Sequence, residues 1–141
     1  MVRISNLELV KLLKENSRSS YVDMARHFGV TETAVRKRVK NLETIGVIKK
    51  YTIDVDPKKI GFDVDTLIGI DTMPEKYIRV MEKLKPMQEV MRLCSSSGDH
   101  MLMIECWFQT SREFTKFIKM LEKMDGVTKV CPAIISEKMK C

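Results

Sequence analysis

Thr33, Arg36, Lys37 and Lys40 are the residues whose types and spacing point most directly to a chemistry. On a helix turning about 100° per residue they cluster on one side. An arginine fork and lysine ammoniums suit guanine edges and phosphate oxygens, and a threonine offers a short hydroxyl or methyl contact. Carried on one helix, that set is what a reader of the DNA major groove requires. Cations on an outer helix face are more often plain solvated surface, so the case depends on the elements that carry them.

Those elements are legible. Ser19-Ser20 suits an N-cap, residues 21–28 read as a helix, and Gly29 supplies the left-handed position that ends it, with Val30 pointing back into the pair. Thr31 caps a second helix whose apolar stripe is Val35, Val39 and Leu42, spaced i, i+4, i+7. Residues 6–15 form an earlier helix, capped by Ser5 or Asn6, that packs across the pair through Leu9, Leu12 and Leu13. Residues 46–51 (GVIKKY) read as a short basic strand, adding Lys49 and Lys50 to the cationic set and giving the unit a winged-helix-like outline. Thr31 at the helix start joins the DNA-facing candidates. Arg38 lies at the edge of that face, and phosphate contact or an ion pair with Glu8 or Asp23 would each suit it. Tyr51 reads as packing at the hinge rather than touching DNA.

The charge distribution agrees. The 141-residue chain carries a net charge of +6. Residues 1–60 hold 13 Lys/Arg against 7 Asp/Glu, whereas residues 61–141 hold 12 against 12. All the excess positive charge thus lies with the helix-turn-helix, as expected if that half meets phosphate. No apolar run approaches the roughly 20 residues needed to cross a bilayer, and residues 1–5 are no signal peptide, so a cytoplasmic protein without a membrane partner is expected. Cys94, Cys106, Cys131 and Cys141 match neither CxxC spacing nor a paired framework. The first three sit in apolar, strand-like runs and read as reduced core residues. No metal site and no resident cofactor are expected, since His27 and His100 lack closely spaced ligand partners.

The second half changes rhythm. Residues 56–61 (DPKKIG) are a turn, and the chain divides into a helix-turn-helix domain over 1–50, a hinge strand and linker over 51–62, and a second domain over 63–141. In that domain residues 64–73, 89–95, 100–108 and 127–136 read as strands. Residues 74–84 and 111–124 read as helices, the second capped by Ser111. The first of these helices would set Ile78, Met81 and Leu84 near one face. The order β-α-β-β-α-β is the ferredoxin-like pattern, an antiparallel sheet with both helices on one side. The fold class is α+β. The other side of the sheet looks too apolar to be left in water, which predicts a dimer through this half.

A basic helix-turn-helix, a hinge strand and such a domain together resemble the leucine-responsive regulatory protein/AsnC family, or feast/famine regulators. The resemblance covers almost the whole chain. It is carried by TETAVRKRVKNLETIGVIKKYT, SSGDH and the terminal GVTKVCPAIISEK. It implies a one-component transcription regulator acting on double-stranded DNA, dimers that associate into tetramers or octamers, and an amino-acid effector held by the second domain. By this resemblance Gly98, Asp99 and His100 form the effector loop. Gly98 would let backbone N–H groups approach a ligand carboxylate and Asp99 would accept from its ammonium. Pro132, Ala133, Ile134 and Ile135 correspond to the strand lining the same pocket. Met101 stands where many relatives carry a second acid, which leaves the effector's identity open.

The leading reading is a sequence-specific DNA-binding regulator modulated by a small effector. The alternatives are an amino-acid sensor or enzyme-regulatory protein without specific DNA binding, and a non-specific architectural DNA-binding protein. An enzyme is not expected, because no nucleophile–base signature or phosphate loop is present, and Asp99 and His100, adjacent on an extended chain, point apart.

Overall fold

A computed structural model describes residues 4–140. The chain divides into two compact units, Met1–Asp54 and Val55–Cys141.

The first unit is three helices: α1 (Asn6–Glu15), α2 (Tyr21–Phe28) and α3 (Glu32–Thr44). Each begins on a hydroxyl cap, with Ser5, Ser20 and Thr31 accepting from the N–H groups of Glu8, Asp23 and Ala34. Leu9 and Leu13 from α1, Met24 and Ala25 from α2, and Val35, Val39 and Leu42 from α3 form its core with Ile4. Full burial of one such aliphatic side chain is worth about 1.5–3 kcal/mol, and a core this small needs every one. The expected wing does not form. Residues 46–51 turn at Gly46 and continue without a strand ladder, as does the segment to residue 56. A strand needs a hydrogen-bonding neighbour, and the described residues of this unit supply none.

The second unit runs β1 (Val64–Thr72), α4 (Tyr77–Leu84), β2 (Val90–Ser95), β3 (Leu102–Phe108), α5 (Ser111–Glu122) and β4 (Val127–Ile134). The strands lie in the order β2-β3-β1-β4, antiparallel throughout, which is the ferredoxin-like arrangement. One face of the sheet (Ile68, Ile70, Leu102, Ile104, Cys106, Phe108) packs against Val80 and Leu84 of α4 and Phe117 and Leu121 of α5.

Several local expectations are corrected. Pro74 opens a short 3-10 turn, Pro74–Lys76, before α4 begins, which rotates Ile78 outward to 61% exposure and leaves Val80 and Leu84 as the buried positions. Thr110, not Ser111, caps α5, accepting from Glu113 N–H. Of the cysteines read as core, only Cys106 is buried. Cys94 is exposed and Cys131 partly so, because both lie on the side of the sheet away from the helices.

That side is also less apolar than the sequence pattern suggests. It carries Leu67 and Met103, but also Asp65, Asp71 and Glu105. Lys138 lies between Asp65 and Glu105, 3.4 Å and 3.0 Å from their carboxylate oxygens. Asp65 is almost fully buried, with one oxygen, Oδ1, unpartnered. Burial pushes its carboxyl up, against the pull of Lys138.

Candidate functional site

In the first unit, Gly29 ends α2 with φ +67°, the left-handed region where a Cβ would be strained, and Val30 N–H returns to Ala25 C=O at 3.0 Å. One residue later the Thr31 hydroxyl accepts from Ala34 N–H at 3.1 Å and starts α3. The turn is thus fixed by three local devices: a glycine, a returning backbone bond and a cap. Val35, Val39 and Leu42 then anchor α3 along its inner stripe, and Thr33, Arg36, Lys37 and Lys40 are left together on the exposed side. Lys49 and Lys50 are also exposed.

Two arginines differ from the rest of that set. The Arg36 Nη2 donates to Glu32 Oε1 at 2.7 Å, and its guanidinium lies over the Tyr21 ring, 5.3 Å from the centroid. Arg38 is half-buried and donates from Nη1 to Ile4 C=O at 3.0 Å and Asn6 Oδ1 at 2.8 Å. Arg38 therefore ties α3 to the start of α1. Neither Glu8 nor Asp23 is its partner; Asp23 instead lies 4.0 Å from Arg26. Tyr51 is half-exposed, and its phenol is pushed up by burial first, then by Glu43 and Tyr21.

In the second unit the loop between β2 and β3 turns at Gly98, φ +105°. Ser96 N–H donates to Met101 C=O at 2.9 Å, and the Ser96 hydroxyl donates to His100 C=O at 2.7 Å, closing the loop on itself. Asp99 is exposed at its tip. The residue that anchors the loop to the sheet is Asp71, at the end of β1. One of its oxygens lies 3.0 Å from His100 Nδ1, and the other accepts from Met101 N–H, also at 3.0 Å. The His100 hydrogen bond, then the Met101 N–H and nearby Lys129, hold the Asp71 carboxyl below the usual carboxylate range. The imidazole sits against Gly69, where a Cβ would overlap the ring. Sequence reasoning missed both residues; the available signal was a carboxylate near the end of an apolar strand and a glycine inside it.

The expected effector residues do not all converge. In β4, Pro132, Ala133 and Ile134 stand opposite Ile68, Leu67 and Thr66, and Ile135 N–H donates to Asp65 C=O. The Gly98 loop lies beyond the Thr72 end of β1. Thr66 and Thr72 are separated by about 20 Å at a strand's rise of about 3.3 Å per residue. Within one chain, then, Gly98, Asp99 and His100 cluster at one end of the sheet, with Ile134 and Ile135 at the other. A cleft of about 680 Å³ opens elsewhere, between Phe62, Trp107, Phe117 and Met120, and includes none of them. Among the described residues no three His, Cys, Asp or Glu side chains gather as a metal site would require.

Residues 5–43 match the AsnC-type helix-turn-helix domain, and residues 66–141 match the Lrp/AsnC ligand binding domain. The chain belongs to the Lrp/AsnC family. It is 47% identical over 133 residues to the HTH-type transcriptional regulator LrpA of Pyrococcus horikoshii, a match covering 94% of each chain. It is 35% identical to LrpA1 of Halobacterium salinarum, again over 94% of both. The structure of E. coli AsnC superposes with a TM-score of 0.80 at 25% identity, covering 99% of this chain and 96% of that one. This Lrp/AsnC protein is accordingly a DNA-binding transcription regulator with a ligand-binding domain, and its close relatives are regulators rather than enzymes. Among the described residues no helix is long and apolar enough to cross a membrane.

Proposed function

We propose that this regulator works in the cytoplasm as a dimer that sets two copies of α3 into successive major grooves of an operator, and that an amino acid bound by the second unit modulates it. The exposed Thr33, Arg36, Lys37 and Lys40 face, opposite the buried Val35–Val39–Leu42 stripe, carries the DNA part of this reading. Arg36 reads a base edge, while Lys37, Lys40, Lys49 and Lys50 serve mainly phosphates. Thr31, whose hydroxyl oxygen already caps the helix, has a proton left to donate to a phosphate. Arg38 acts indirectly, by fixing the angle of α3 against α1.

For the effector, Gly98, Asp99 and His100 form one half of a pocket. Their separation from Ile134 and Ile135 supports a site completed by a neighbouring copy, and so an assembly of dimers into tetramers or octamers. A regulator of the same fold, NMB0573 of Neisseria meningitidis, forms a complex with L-Met (TM-score 0.85, 16% identity), which recommends amino acids as the first ligand class to try.

The test is binding to DNA from the protein's own promoter region against random duplex, with each amino acid added in turn. Tighter promoter binding that shifts with one or a few amino acids is expected. Specific binding indifferent to every amino acid would sink the effector claim. Equal binding to both DNAs would make the protein architectural instead.

A further inference from the structure

Arg36 is the one base-reading candidate held in place before DNA arrives. Among the described residues, Lys37 and Lys40 on the same face make no ion pair within 4 Å, whereas Arg36 has a carboxylate at 2.7 Å and an aromatic ring beneath its guanidinium. The two holders come from different helices: Glu32 opens α3, and Tyr21 opens α2. We propose that Glu32 and Tyr21 are positioning residues for DNA specificity, which present the Arg36 guanidinium to the groove as a fixed fork. This rests on the reading above that Arg36 contacts a base.

Three physical points support it. Glutamate four residues before arginine is the favourable order on a helix, and a short charge-assisted bond restricts where the guanidinium lies. A cation within about 6 Å of a ring centroid is attracted to its face, so Tyr21 limits motion in the remaining direction. The Glu32 bond uses one of the two Nη2 hydrogens, so one bidentate edge of the guanidinium, Nη1/Nη2 or Nε/Nη2, stays free for the paired acceptors O6 and N7 of a guanine. A long side chain already confined loses less freedom when it binds, and it loses that advantage at a base where its fork does not fit.

Glu32 also lies in the first turn of α3, where the helix dipole favours a carboxylate, but that would serve as well on a face away from DNA. A carboxylate on a face that meets phosphates repels every DNA sequence alike. Its presence there is useful if discrimination, rather than affinity, is what it provides.

The experiment uses the full chain and its selected operator. Base preferences are measured by selection from a randomised duplex pool, and affinities for operator and random duplex by titration, for wild type, Glu32→Gln, Tyr21→Phe, Tyr21→Leu, Arg36→Ala and the double variant Glu32→Gln/Arg36→Ala. Glu32→Gln should relax preference roughly fivefold or more at the position that Arg36→Ala relaxes, while random-DNA binding holds or tightens. Tyr21→Phe keeps the ring and should keep the preference, whereas Tyr21→Leu should erode it. The double variant should be no less selective than Arg36→Ala alone, because the two residues act through one contact. Tighter binding to all DNA with unchanged preferences would overturn the inference and reduce Glu32 to a surface charge. Relaxation at a different position would overturn it too, since Glu32 would then read its own base. Arg36→Ala weakening operator and random DNA equally would instead remove the base-reading role itself, and this inference with it.

Discussion

The two turns that present candidate functional residues are built on opposite principles. Residues 29–31 are fixed by their immediate neighbours: a left-handed glycine, a bond from Val30 to Ala25 and a Thr31 cap. The loop at Gly98 closes on itself, but it is anchored to the sheet by Asp71, roughly thirty positions away along the chain. The first turn delivers a helix whose direction is fixed before binding, as insertion into a major groove requires. The second delivers a loop whose position depends on one side-chain clamp. Such a clamp can be loosened or tightened, which suits a unit that must respond to a ligand.

The contrast can be broken from either side. The largest effect is expected from Leu42→Ala in α3, where a fully buried side chain leaves a cavity: about 2–5 kcal/mol of stability should be lost, read by thermal denaturation, with DNA binding falling in parallel. Next comes Gly69→Ala. The added methyl should expel His100 and cost about 1–3 kcal/mol in denaturant titrations, while operator affinity without effector stays near wild type.

Similar in size but specific in kind, Arg36→Ala should cost about 1–3 kcal/mol at one base position, whereas Lys50→Ala should weaken all sequences alike and lower the salt slope by about one. Competition titrations at several salt concentrations separate the two.

The smallest effect concerns Lys138. Lys138→Met should cost about 1 kcal/mol at neutral pH: it leaves the Asp65 carboxylate without a cation, but a third of the lysine side chain is exposed, so water screens the pair. Asp65 already titrates above its ordinary value, so the folded state takes up a proton more readily than the unfolded one. The penalty should therefore shrink as pH falls through the folded Asp65 pKa. Asp71 runs the other way. Its depressed pKa gives stability that is present above the unfolded value and is lost as pH falls through the folded one. Urea midpoints across acid pH should show Lys138→Met converging on wild type; a gap that widens in acid would contradict this.

How much was legible in the sequence follows the same division. The three helices, their caps and the Val35, Val39 and Leu42 stripe are written in neighbouring residues, and the structure reproduces them. So is the strand order, because β-α-β-β-α-β with apolar runs admits few packings. The wing could not be read, since a ladder depends on a partner strand rather than on the basic run itself. Arg38 allowed either phosphate contact or an ion pair with Glu8 or Asp23, and its acceptors, Ile4 C=O and Asn6, could not be picked out because they lie about thirty positions away. Asp71 and Gly69 were invisible for the same reason: Gly69 matters through His100, and Asp71 through His100 and Met101, which folding brings to them. Cys94 and Cys131 looked like core because alternation assigns residues to faces without saying which face is covered.

The close approach of His100 to Gly69 also constrains how this chain can change over generations. A larger residue at position 69 must displace the imidazole and is costly while histidine holds that space. Once position 100 is small, position 69 is free to grow, and the return of histidine is then blocked in turn. The two positions are thus coupled, and each substitution is cheap in one order and costly in the other.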